Sequence, residues 1–160
     1  MTEQNKMPKR KDDPNPVLAN NRKALHDYHV VERFECGIEL TGTEVKSCRA
    51  RAIQINESFG KILRNQLWLL NCHISVCEYG GKFNHEIHRD RRLLMHKREI
   101  LKLSQTLKLK GGTLIPLKFY LKSGLIKVEL AYCQGKSHAD QRETIRERET
   151  DMAIRRALKK

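Results

Sequence analysis

Hydrophobic and polar positions alternate with a period of two in several short stretches of this chain. Residues 34–40 place an apolar side chain at every second position, which is typical of a strand with one buried face. Residues 59–72 alternate less strictly around Arg64-Asn65, and residues 113–132 do so around Ser123-Gly124. Each pair of apolar stretches, joined by a short turn sequence, predicts an antiparallel hairpin.

Two segments with helical patterns interrupt these strands. The first is a short helix that we expect to open at Thr43, with Glu44 in its first turn. The second runs over about residues 97–109, where apolar residues recur three or four positions apart, and it ends at Gly111-Gly112.

The number of short strands decides the fold class. A further apolar stretch at 93–95 is strand-like, and Pro116, within the last hairpin, must lie at an edge or a bulge. Closure into a barrel buries many short strands without leaving open edges. We therefore expect a mainly β protein: a small closed antiparallel barrel of the oligonucleotide-binding type, with two or three short helices.

Composition divides the chain into three parts. Residues 1–20 contain three of the four prolines and almost no apolar pattern, which indicates a disordered basic arm. Residues 21–133 are predicted to form the barrel. Residues 134–160 contain no aromatic residue and too few apolar residues for a broad helical stripe, so they are predicted to be a basic tail that is disordered in the free protein.

Charge points to a polyanionic partner. The chain has 32 Lys and Arg against 19 Asp and Glu, a formal net charge of +13, with a basic excess in all three parts. The longest unbroken apolar run, at 67–70, is too short to span a membrane, and no secretory signal is visible at the N-terminus. Five cysteines, an odd number within apolar stretches, indicate reduced thiols in a cytoplasmic protein. We also expect the protein to be a monomer.

The spacing of the cysteines and histidines matches no standard metal or catalytic motif. Cys72 and Cys77, followed by His85 and His88, only loosely resemble a zinc site because they lack the usual tight turn. The two histidines are three residues apart, whereas a helical metal pair needs four. Since the chain also has no glycine-rich phosphate loop and no nucleophile elbow, we predict no catalytic residues, no metal and no cofactor.

A basic stretch at 89–98 is the best candidate for RNA contact. It mixes cations with Leu94 and His96, and RNA loops are bound by such mixtures of stacking groups and cations. Glu35 lies on the outward side of its strand, where a carboxylate could accept hydrogen bonds from base amino groups. The simpler alternatives are a solvated loop and an exposed glutamate.

An ordered set of motifs runs from residue 21 to the C-terminal part of the chain. It includes NRKALHDY at 21–28 and RRLLMHKREI at 91–100, and its other members are residues 34–38, 40–47, 83–85, 116–120, 127–130, 135–136 and 140–143. In this order the motifs resemble the SsrA-binding protein family, small protein B of bacterial trans-translation.

The resemblance implies an oligonucleotide-binding barrel that binds the tRNA-like domain of transfer-messenger RNA and enters the empty A site of a stalled ribosome. Elongation factor Tu and alanyl-tRNA synthetase would then be met indirectly, through the RNA. Glu35, Leu94 and His96 fall where the family contacts RNA, and His26 lies in the matching first motif. Arg91 and Lys97, from the basic stretch, complete the expected set of RNA-binding residues on the barrel.

The family's tail is disordered alone and becomes helical in the vacant mRNA channel, beside the 16S rRNA decoding centre. The residues expected to contact the ribosome are Gly135, Lys136, Asp140, Gln141, Arg142 and Ile154. Two positions depart from the family pattern: Gln141 stands where lysine is usual, and Ala139 stands where an aromatic residue or histidine is common.

We therefore expect a non-enzymatic factor of ribosome rescue. The main alternative is a ribosome-associated structural or assembly protein that binds rRNA through the same barrel. A weaker third alternative is an enzyme whose catalytic residues the spacing does not show. The RNA that copurifies with the chain would separate the first two.

Overall fold

The computed structural model describes residues 15–159. Over this range the elements follow in the order β1 (Val17–Asn20), α1 (Arg22–Asp27), β2 (Tyr28–Ile38), α2 (Gly42–Arg49), β3 (Ile53–Gln54), β4 (Phe59–Leu63), β5 (Gln66–Leu70), β6 (His73–Ile74), a 3-10 turn (Gly81–Phe83), β7 (Arg91–Leu94), α3 (Lys97–Lys110), β8 (Thr113–Lys122), β9 (Leu125–Gly135) and α4 (His138–Ala157). Within the described range, no helix combines the length and apolar character needed to cross a membrane.

The strands form an antiparallel barrel, as predicted. Seven of them lie in one sheet in the order β1-β8-β4-β5-β7-β2-β9, and β9 also pairs with β8, which joins the sheet into a ring. The short strands β3 and β6 pair separately. Three helices, α1 to α3, belong to the barrel part, in agreement with the two or three that were expected.

Both predicted hairpins are confirmed, and local backbone geometry explains them. Arg64 and Asn65 have φ angles of +49° and +59°, and Ser123 and Gly124 have +51° and +75°. Two consecutive residues with positive φ make the tight turn whose twist matches that of the flanking strands. Pro116 lies at a bulge in the β8–β9 ladder, where the register shifts between Pro116 and Lys118.

The barrel interior is filled by the inward side chains of these strands, with α3 packed against it through Ile100 and Leu103. Four of the five cysteines are buried and all five are free. Burial raises the pKa of the thiols of Cys36, Cys48 and Cys72 to about 12, so they are protonated and unreactive at neutral pH.

Three predicted boundaries are wrong. The barrel extends to Gly135, the last residue of β9, and not to residue 133, because Gln134 and Gly135 pair with β2. The arm predicted over residues 1–20 is too long, because Val17–Asn20 forms β1, which pairs with β8 and buries Leu18. Residues 1–14 of that arm lie outside the described residues. The helix α2 begins at Gly42 rather than at Thr43, because the Glu44 carboxylate accepts the backbone N–H of Thr41 at 2.8 Å and so caps an earlier turn.

The C-terminal segment is described as the helix α4, the form that was expected for it on the ribosome. The sequence reasoning missed its start signal: the Ser137 hydroxyl accepts the N–H of Asp140 at 3.2 Å, and the Asp140 carboxylate accepts the N–H of Ser137 at 3.2 Å. The Ser137 hydroxyl also lies 2.7 Å from the Asp140 carboxylate and donates to it, and this hydrogen bond, followed by that from the Ser137 N–H, holds the pKa of the Asp140 carboxyl below its usual value. None of the described side chains of α4 is buried.

Candidate RNA-binding surfaces

The carboxylate of Glu35 is fixed on the outer face of β2. The Tyr120 hydroxyl donates to one of its oxygens, and the Lys122 ammonium donates to both, at 2.9 and 3.0 Å. The hydrogen bond from Tyr120, followed by that from Lys122, lowers the pKa of Glu35. Glu35 is therefore an ionised and oriented acceptor. A carboxylate offers about four lone-pair sites, so one stays available to a base.

Cations surround this carboxylate and its neighbour. Glu129 lies opposite Glu35 in the β2–β9 ladder. It accepts from Arg33 at 3.0 Å and pairs with Lys118 at 3.1 Å. The Lys118 ammonium also lies 5.3 Å from the centre of the Tyr120 ring. Because these cations are partly exposed, they could reach phosphates while their carboxylate partners stay in place.

Leu94 extends this surface to β7. It pairs with Gly37 of β2, which lies two residues from Glu35, and it is about half exposed. A Cβ atom at Gly37 would lie 3.2 Å from the Cβ of Leu94, so only glycine leaves Leu94 free of a tight contact there. The structure therefore brings Glu35 and Leu94 together.

His96 and Lys97 follow at the junction between β7 and α3, and both are exposed. His96 is the residue before the 14-residue helix α3, and Lys97 is its first residue. The free N–H groups of a helix N-terminus favour an anion such as a phosphate. We call the group formed by Glu35, Leu94, His96, Lys97 and the neighbouring cations Arg33, Lys118 and Lys122 the Glu35 surface.

Arg91 was predicted to contact RNA, and the structure contradicts this. Its side chain is fully buried and donates to the Glu44 carboxylate at 2.8 Å. Its remaining N–H groups donate to four backbone carbonyls, those of Cys72, Glu86, Ile87 and Arg89. Arg91 lies on the inward side of β7, in the same direction as Leu93, and therefore has a structural role.

His26 does not join the Glu35 surface. It is half-buried on α1, and its Nδ1 lies 2.9 Å from the carboxylate of Asp27. Seven strand steps along β2 separate Tyr28 from Glu35, a span of about 23 Å. His26 lies instead beside the start of the tail, because Tyr28 pairs with Gly135.

The predicted tail residues divide into two groups. At the root, Lys136 donates from its backbone to the Asp27 carbonyl at 3.1 Å and from its ammonium to the Leu25 carbonyl and the Thr144 hydroxyl, both at 3.3 Å. The residues grouped here are Gly135, Lys136, Asp140, Gln141 and Arg142. Ile154 lies over three turns further along α4 and is half exposed.

The sequence reasoning missed Tyr120, Lys122, Lys118 and Arg33. A signal was available, because Lys118, Tyr120 and Lys122 occupy alternate positions of one strand and so share its outer face. Among residues 15–159 no three His, Cys, Asp or Glu side chains come together as a metal site. The two ring nitrogens of His85 face the Thr43 hydroxyl at 2.9 Å and the Ile74 carbonyl at 3.0 Å.

A small antiparallel barrel with an outer face of oriented acceptors and cations, followed by an exposed helix rich in arginine and acidic residues, defines a class of RNA-binding barrel proteins. The family model described as "SmpB protein" matches residues 18–160, and the chain belongs to this family.

Named relatives agree with this assignment. The chain is 50% identical over 151 residues to the SsrA-binding protein of Levilactobacillus brevis, covering 94% of this chain and 96% of that protein. It is 48% identical over 143 residues to that of Ligilactobacillus salivarius, covering 89% and 92%. A chain of a solved structure described as "tmRNA-SmpB: a journey to the center of the bacterial ribosome" matches with a TM-score of 0.64 and 40% identity, covering 82% of this chain and 95% of that chain.

Proposed function

We propose that this chain binds the tRNA-like domain of transfer-messenger RNA and carries it to the A site of stalled ribosomes, where tagging of the nascent chain begins. The observation that carries the proposal is the Glu35 surface. It is an oriented, ionised acceptor ringed by cations, in a chain about half identical to SsrA-binding proteins over most of its length.

The Glu35 surface divides the binding task by chemistry. Its carboxylate accepts hydrogen bonds from the amino edge of an unpaired base, and its half-exposed Leu94 packs against a base or sugar. The exposed Lys97 and the partly exposed Lys118 and Lys122 neutralise phosphates and release counterions. The Glu35 carboxylate determines which base is bound, and the cations supply most of the affinity for RNA.

The helix α4 supplies the contact with the ribosome. Its described side chains are unburied, and they include several arginines, such as Arg142 and Arg155, that can reach rRNA phosphates. In the proposed complex α4 occupies the 16S decoding centre and the empty mRNA channel, where a channel wall covers Ile154. Its root at Lys136 stays attached to α1.

The proposed role is binding and delivery in the cytoplasm, without a catalytic step. Shape and charge take the place of an anticodon arm. Elongation factor Tu and alanyl-tRNA synthetase act on the RNA, and the chain meets them through it.

Sequencing of the RNA that copurifies with the tagged full chain tests the proposal. We expect one abundant RNA with an alanine-acceptor end, and Glu35→Ala should deplete it from the copurified RNA. Lys61→Ala, on the outer side of β4, provides a control that removes one cation elsewhere on the barrel. Recovery of rRNA precursors in place of that RNA would instead identify an assembly protein.

A further inference from the structure

The loop between β6 and β7 exposes two aromatic rings to solvent. Tyr79 is 91% exposed and Phe83 is 92% exposed, the highest values among the large apolar side chains of the described residues. Neither ring belongs to the Glu35 surface or to the tail. Apolar rings in water are unfavourable unless a partner covers them.

The ends of this loop are clamped together by one side chain. The Asn84 amide oxygen accepts the N–H of Cys77 at 2.9 Å, and its amide nitrogen donates to the Cys77 carbonyl at 2.6 Å. A Cβ atom at Gly80 would lie 2.8 Å from the Asn84 amide, so only glycine fits beneath it. Gly81 has a φ of +51°, which favours glycine as well.

A buried polar network holds the loop to the barrel. Arg91 donates to the carbonyls of Glu86 and Ile87, and its charge is balanced by the buried carboxylate of Glu44. His85 is fixed by Thr43 of α2. A fixed loop presents its rings with little further loss of backbone conformational entropy when they are covered, which favours binding.

We propose that Tyr79 and Phe83 stack on unpaired bases of an RNA segment distinct from the one at the Glu35 surface. Flat rings can stack on any base, and the net charge of +13 favours RNA as the partner of this chain. The inference rests on the proposed function only in assuming that the chain binds RNA. Over residues 77–86 the single cation, Lys82, is outnumbered by Glu78 and Glu86, so the contact is with bases rather than with phosphates.

The geometry of β7 separates this loop from the Glu35 surface. The loop leads into the first residue of β7, Arg91, whereas Leu94 lies at its other end. Three strand steps span about 10 Å, so the end of the loop at Arg91 is separated from Leu94 by more than the thickness of one base. Asn84 and His85, which follow Phe83, are held by Cys77, Ile74 and Thr43, none of which belongs to the Glu35 surface.

The test uses the full chain and an unstructured ten-nucleotide RNA that carries 2-aminopurine, whose fluorescence is quenched by stacking. We expect quenching with the wild type and an affinity about tenfold or more lower for Tyr79→Ala/Phe83→Ala. The leucine pair, Tyr79→Leu/Phe83→Leu, keeps apolar bulk without a flat ring, and it should lose the same amount. Leu109→Ala, which removes another exposed apolar side chain on α3, should change nothing.

Three readouts separate the outcomes. The salt dependence should keep its slope in the ring variants, because no phosphate contact is removed. Leucine variants that bind the RNA like the wild type would show that a flat ring is not required and so overturn the proposal, as would unchanged binding by the alanine pair. Binding of the tRNA-like domain is measured in parallel: its loss in Glu35→Ala but not in the ring variants keeps this test apart from that of the proposed function.

Discussion

Replacement of Arg91 by methionine tests whether this residue stabilises the fold or binds RNA. Methionine has similar length and no charge, so it removes the hydrogen bonds and leaves most of the volume. Glu44 loses the bond from Arg91 Nε at 2.8 Å but keeps Arg89, which donates to its two oxygens at 3.1 and 2.7 Å. Four backbone carbonyls lose their Arg91 donor.

The expected cost follows from burial. The side chains of Arg91 and Glu44 are both fully inaccessible to solvent. Removal of one partner of a buried pair costs about 3–5 kcal/mol, and the remaining Arg89 places Arg91→Met near the lower end of that range. The cost of Arg91→Met combined with Glu44→Met should be smaller than the sum of the two single costs, because the hydrogen bond that the two side chains share is then lost only once.

Urea unfolding followed by circular dichroism and by the fluorescence of Trp68, the single tryptophan, measures this cost. Arg92→Met is the matched control. Arg92 is the next residue and pairs with Glu39 at the surface, so its loss should cost under about 1 kcal/mol. RNA affinity without urea should be unchanged in Arg91→Met. A variant with the wild-type urea midpoint, weaker RNA binding and a shallower salt slope would refute the structural role.

Four further predictions concern pH, the Glu35 surface and, in two cases, the tail. Burial acts to raise the pKa of Glu44, but hydrogen bonds from Arg89 and Thr41 and the charge of Arg91 outweigh it and lower that pKa to about 2 from 4.5. The ionised Glu44 therefore contributes about 3 kcal/mol to the free energy of unfolding, which is complete above pH 4.5 and is lost as the pH falls towards 2. In Glu44→Gln the urea midpoint should depend less on pH between 4.5 and 2. Glu35→Ala should weaken RNA binding without changing the slope of log K against log salt concentration. Lys97→Ala should make that slope shallower by about 0.7 to 0.9, and equal slopes in the two variants would contradict these roles. Deletion of residues 134–160 should leave transfer-messenger RNA affinity nearly intact and abolish tagging of stalled chains. In the full chain, amides in the second half of α4 should exchange with solvent rapidly, and strong protection there would contradict the expected weak stability.

The hairpins could be predicted because their signals are local. Two-residue turns such as Arg64-Asn65 need positive φ, and the flanking alternation fixes which side chains face inward. The start of α4 was equally local, in Ser137 and Asp140, but the weakness of its apolar stripe outweighed that signal in the sequence reasoning.

The role of Arg91 could not be predicted, because its partners are distant in sequence. Glu44 lies 47 residues earlier, and nothing local shows that these two charges meet inside the barrel. The run of Arg91, Arg92, Leu93 and Leu94 also offers either face of β7 one cation and one leucine. Composition then favours an exposed basic stretch, and only the pairing of β7 with its neighbours assigns Arg91 and Leu93 inward. The hydrogen bond from Tyr120 to Glu35 could not be predicted for the same reason, because the two residues are 85 positions apart in the sequence.

The two ends of the tail are held differently, and this determines what its sequence has to supply. The root is attached to α1 through Lys136 and capped by Ser137, so the direction in which α4 leaves the barrel is fixed by the barrel itself. Beyond Thr144, α4 has no buried side chain to hold it, and each surface charge pair adds only about 0.2–0.5 kcal/mol. A partner must therefore supply the stabilisation of the distal half. In the proposed ribosome complex, contacts between its arginines and rRNA phosphates would supply this stabilisation and, because the root is fixed, would also orient the barrel and the RNA that it carries.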